Sequence, residues 1–160
     1  MPVNSEQPAK VFTIEQANAM LPLVRAITTD LTMLARDVVE RRTRLAAFKS
    51  RKDAKAGDPY SDELASMQQA VIADSQRLQE YIDELRSLGL EPKGAVDGLV
   101  DFPAFMEGRL VYLCWKLGEP EVTHWHTVDG GFAGRQSLVA GVAHEEVGGF
   151  DTFAGPEQAE

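Results

Sequence analysis

Cys114, His124 and His126 are residues of types that bind metals or carry nucleophilic chemistry. They stand in one short stretch, LCWKLGEPEVTHWHTVDGGFAGR, which also holds both tryptophans of the chain. Thiolate and imidazole suit zinc or a similar divalent ion, and a carboxylate from Glu119 or Asp129 would complete a set. The spacing C-x9-H-x-H matches no zinc pattern with a physical rationale. As a nucleophile, Cys114 would need a nearby base and an activated thiolate.

Strand geometry sharpens the choice. In THWHT the two histidines share one face and Trp125 takes the other, because side chains alternate along a strand. A four-residue LGEP connection pairs Lys116 with Glu121, Leu113 with His124 and Val111 with His126. Cys114 then points away from both histidines, beside Tyr112 and Trp125. Only a bulge or an odd connection would bring the sulfur to the histidine face. The expectation is an inert Cys114 and no assigned catalytic residue. The default for His124 and His126 is packing in sheet core and rim; the alternative is a metal site of His124 and His126, without Cys114, with a carboxylate from Glu119, Asp129 or Asp101. In DGGFAGRQ, converging glycine amides and Arg135 suggest an anion site, against a plain turn that lets Phe132 cover the core.

Two long helices and a small sheet must position these residues. Thr13 and Gln16 match a capping box, and apolar residues then recur on one face from Ile14 to Phe48, interrupted at Arg41 and Arg42. Pro22 lacks the amide that would reach the carbonyl of Asn18, so a kink or a helix start is expected there. GDPYSD reads as a turn, with Asp58 or Ser61 as cap. A second helix follows, with a coiled-coil-like seam from Leu64 to Leu88 broken once at Asp74. Gly89 and Leu90 supply the stop. The runs AVDGLVDF, RLVYLCWK and EVTHWHTV predict three antiparallel strands, with PAFMEG and LGEP as connections. The expected architecture is α+β: a flexible segment 1–11, then one domain over 12–138 with a long antiparallel helical hairpin (13–89) and a three-stranded sheet (93–138). A weakly ordered acidic tail follows over 139–160.

Charge bears on partners. The net charge of −9 opposes nucleic acid as a default partner, yet Arg36 to Lys55 carries a local +5 at the hairpin tip. A single cysteine and the lack of a signal-peptide pattern favour the cytoplasm, and no apolar run is long enough for a membrane span.

FTIEQANAMLPLVRAI and GLVDFPAFMEGRLVYLCWKLGEPEVTHWHTVDGGFAGRQSL together resemble an uncharacterised bacterial family, Domain of Unknown Function 2203, over residues 11–138. The resemblance implies membership and no activity, so it assigns no site residues. The residues themselves favour a non-enzymatic interaction or assembly protein, because Ile27, Met33, Ile72 and Ile82 lie off the hairpin seam and ask for a sheet or a second subunit; a homodimer is expected. The alternatives are a small metal-binding module or metal-dependent enzyme at His124 and His126, with a divalent ion such as zinc, and a binder of nucleic acid or an acidic partner at the basic tip.

Overall fold

The structure, a computed structural model, describes residues 8–50 and 59–138. The capping box forms at the start of α1 (Ile14–Lys49): Thr13 Oγ1 accepts from the Gln16 amide at 3.1 Å, and Gln16 Oε1 accepts from the Thr13 amide at 3.0 Å. The helix runs through Pro22 without interruption. Pro22 itself is exposed, so its ring adds no demand on the core. The alternative of a short first helix followed by a second starting near Pro22 is therefore corrected to one helix from Ile14 to Lys49.

α2 (Pro59–Ser87) begins at Pro59, a residue whose missing amide costs nothing in a first turn, and Ser61 lies inside the helix rather than capping it. Asp58 and the Arg51–Lys55 part of the basic tip fall outside the described residues. α2 ends as the sequence indicates. Gly89 takes a φ of 91°, and the Leu90 amide reaches back to the Leu85 carbonyl at 3.1 Å, burying Leu90. The two helices form an antiparallel hairpin. Phe48 stacks on Tyr60 at 4.2 Å beside the connection between the helices. The two interruptions of the apolar seams meet each other, Arg41 pairing with Asp74 and Arg42 donating to Ser75.

The sheet has five antiparallel strands in sequential order, not three: β1 (Glu91–Gly94), β2 (Leu99–Met106), β3 (Arg109–Lys116), β4 (His124–Thr127) and β5 (Gln136–Ser137). The run AVDGLVDF was expected to be one strand, but Ala95–Gly98 turns between β1 and β2. PAFM, expected in a connection, is the second half of β2. The real turn is Glu107–Gly108, where both residues take positive φ, the pattern of a two-residue hairpin loop.

One sheet face packs on the N-terminal half of α1 and the end of α2. Val100, Phe102, Leu113, Trp115 and Trp125 join Leu21, Val24, Leu31 and Leu85 in one core. Polar contacts fix the approach: Thr32 Oγ1 donates to the Ala95 carbonyl at 2.8 Å, and the Val122 amide donates to Asn18 Oδ1 at 2.7 Å. Beyond Val38, α1 buries no residue, so the far half of the hairpin projects as an arm. Of the four off-seam positions, Ile27 is buried and Ile82 packs against the core, whereas Met33 and Ile72 remain 62% and 57% exposed. The tail expected over 139–160 lies outside the described residues.

Candidate metal centre

The register of β3 against β4 decides what the second sheet face carries. Cys114 pairs with His124, Leu113 with Trp125 and Tyr112 with His126. The expected pairing is thus displaced by one residue, and a one-residue slip exchanges the faces of a whole strand. The prediction that Cys114 and the histidines face opposite ways is corrected: they share a face. The cause lies in the connection. Glu121–Thr123 do not continue β4; the Val122 amide is taken by Asn18 of α1, and its buried side chain enters the core. The connection is consequently longer and odd in its register.

On β2, Asp101 is the direct partner of Cys114. Three strands therefore bring Asp101, Cys114 and His126 together on the face turned away from the helices. Their exposures are 1%, 1% and 2%. Their ligand atoms all lie within 4.8 Å of one another, the one such group found among the described residues.

Hydrogen bonding fixes the state of the imidazole. His126 Nδ1 lies 2.7 Å from the Thr127 carbonyl oxygen, which can only accept, so Nδ1 carries a hydrogen. The other nitrogen, Nε2, stands 3.0 Å from Asp101 Oδ2. A lone pair facing a carboxylate oxygen needs a cation between them, either a proton or a metal ion. Burial pushes the Asp101 carboxyl above the usual carboxylate range, opposed by His126 and then by the charge of Lys93. Burial also pushes the Cys114 thiol up to about 11, with the Asp101 charge adding to it and Arg135 opposing. In the protein alone, Cys114 is a thiol and a poor nucleophile.

The other candidates sit nearby in different roles. His124 is half-buried; its Nδ1 lies 2.9 Å from Thr123 Oγ1 and 4.0 Å from Glu119 Oε2, outside the group of three. Glu119 Oε1 accepts from Arg135 at 2.5 Å and from the Lys116 amide at 2.8 Å. That guanidinium and the amide hold the Glu119 carboxyl below its ordinary value, against the desolvation that would raise it. Arg135, the candidate anion ligand, thus already binds a carboxylate of its own chain and also donates to the Cys114 carbonyl at 3.2 Å. Asp129 lines the rim of a cavity of about 310 Å³ that reaches the Asp101, Cys114 and His126 side chains. At the hairpin tip, Arg44 pairs with Glu40 on its own helix, as Arg41 does with Asp74 across the hairpin.

A family model described as an uncharacterised conserved protein (DUF2203) matches residues 10–138. The chain belongs to this family. The DUF2203 match covers both helices and all five strands, so the three-strand cluster lies wholly within the family's domain. No curated protein and no solved structure matches the chain. DUF2203 membership brings no activity with it, and the chemistry must be argued from the cluster. No helix among the described residues is long and apolar enough to cross a membrane.

Sequence reasoning named Asp101 only as one of three carboxylates and did not single out Lys93 or Tyr112, which also line the cavity. A signal for Asp101 was present: it is the one charged residue inside the otherwise apolar strand LVDFPAFM.

Proposed function

We propose that this protein binds a divalent transition-metal ion, best matched by zinc, through Asp101 carboxylate, Cys114 thiolate and His126 Nε2. The observation that carries the reading is the burial of three ligand atoms within 4.8 Å of one another. Tetrahedral bonds of roughly 2.0–2.3 Å set ligand atoms about 3.3–3.6 Å apart, so the Nε2 and Oδ2 atoms at 3.0 Å would open slightly and any wider pair would close in by about 1 Å. The His126 ring is already oriented by the Thr127 carbonyl, as ligating imidazoles commonly are. A bound divalent ion would take the place of the proton between Nε2 and Oδ2, and it would lower the Cys114 pKa to give the thiolate. Three protein ligands would leave a fourth position open, and all three side chains line the cavity, which fits zinc sites that act on a bound molecule better than closed structural sites.

The test is elemental analysis of untagged protein purified without added metal, followed by zinc titration of the metal-free form by calorimetry. One ion per chain is expected, with affinity lost in Asp101→Asn, Cys114→Ser and His126→Gln and retained in His124→Ala. No zinc binding by the wild type, or binding that depends on His124 and not Cys114, contradicts the assignment.

A second reading, self-assembly into a homodimer, is supported by the exposure of Met33 and Ile72 on the hairpin. Light scattering at micromolar concentration decides it: twice the 17.6 kDa chain mass supports the dimer, and the single mass removes it.

A further inference from the structure

The cavity beside the cluster carries opposite charges on its wall. Lys93, from β1, and Asp129, from the segment after β4, both line it, both are exposed, and neither forms an ion pair among the described residues. Lys93 Nζ lies 5.8 Å from the Tyr112 ring centroid, and its charge, which also acts on the Asp101 carboxyl, faces the cavity that a ligand would enter. Leu99, Val128 and Phe132 give the remaining wall an apolar character. The volume of about 310 Å³ is at the small end for ligand sites, with room for on the order of ten water-sized groups at ~30 Å³ each.

The charge balance narrows the ligand. A divalent ion held by one carboxylate, one thiolate and a neutral imidazole forms a formally neutral complex, the two anionic ligands cancelling its charge. What then faces the cavity is an open coordination position, one ammonium and one carboxylate. A simple anion would satisfy the ion and Lys93 but leave Asp129 beside like charge; a simple cation would do the reverse. Either mismatch costs binding in a confined site.

Resting on the metal reading above, we infer that the cavity takes a small zwitterion with the head chemistry of a free α-amino acid and an apolar side chain. Its carboxylate occupies the open metal position beside Lys93. Its ammonium meets Asp129, and its side chain lies against Leu99, Val128 and Phe132.

The experiment uses the full chain loaded with zinc, the loading being measured first by titration so that failure of the metal site is seen separately. Three probes of one shape are then compared by calorimetry: L-leucine, 4-methylpentanoate without the ammonium, and 3-methylbutylamine without the carboxylate. Leucine is expected to bind about tenfold or more tighter than either fragment, the scale of one charge-assisted contact. Asp129→Asn should weaken leucine by a similar factor and leave 4-methylpentanoate unchanged, while Lys93→Met should weaken both acids. Both substitutions are at exposed positions, and unchanged zinc stoichiometry confirms that the variants fold. Overturning results are 4-methylpentanoate binding as tightly as leucine, leucine binding indifferent to Asp129→Asn, or zinc-loaded protein that binds none of the three. Failure to take up zinc removes the metal reading and this inference with it.

Discussion

Each face of the central sheet holds fully covered side chains, buried to the same degree by different chemistry. On the helix side, Phe102, Leu113 and Trp115 are fully covered by apolar neighbours, which is what folding requires. On the other side, Asp101, Cys114 and His126 are equally covered, yet a buried carboxylate opposite an imidazole gains little stability for its desolvation. The helix-side face explains itself through packing. The outer face carries a cost that folding alone gives no reason to keep, and such a cost at a cavity is what supports the proposed metal site.

Substitution separates the faces most sharply. Trp115→Ala should cost about 3–5 kcal/mol in denaturant unfolding, since it empties the largest fully buried position of the core. Cys114→Ser in metal-free protein should cost much less; an equal loss would mean that the outer face is ordinary core. Next in size is the effect of the ion itself. Zinc at 100 times its Kd should stabilise the wild type by about 2.7 kcal/mol and leave Cys114→Ser unchanged. Equal stabilisation of both would place the ion elsewhere.

A smaller effect comes from proton linkage in the metal-free protein. Asp101 is shifted upward, so the folded state keeps its proton where the unfolded chain has released it. The stability contributed by that proton is present at low pH and declines as pH rises above the ordinary 3.8 through the folded value. Cys114 acts in the same sense between about 9 and 11. Asp101→Asn should therefore be as stable as the wild type or more so at pH 7, with a flatter profile above pH 4, measured by urea titration across pH. A marked loss at pH 7 would show that the Asp101–His126 pair is held for stability. The smallest expected change is on the arm: Arg41→Met should shift stability by no more than about 1 kcal/mol, because Arg41 is 46% exposed.

The helical half was legible in the sequence because its signals are local. Thr13 with Gln16, and Gly89 with Leu90, determine their ends through contacts within six residues. The site was only half legible because register is not local. His124 and His126 do share a face, as alternation requires, but their relation to Cys114 depends on Asn18 of α1 capturing the Val122 amide 104 residues away. No hairpin rule contains that contact. The β1 and β5 strands escaped for a related reason: EPKG and QS are too short and polar to show alternation, and pairing with β2 and β4 defines them.

Cobalt substitution tests the central claim most directly, because a thiolate bound to cobalt gives an intense charge-transfer band in the near ultraviolet that imidazole and carboxylate ligands do not. One equivalent of Co²⁺ added to the metal-free chain should produce that band together with visible absorption of tetrahedral intensity. The band should vanish in Cys114→Ser and persist in His124→Ala. A cobalt complex with no thiolate band in the wild type, or one whose band survives Cys114→Ser, would contradict a centre built from Asp101, Cys114 and His126.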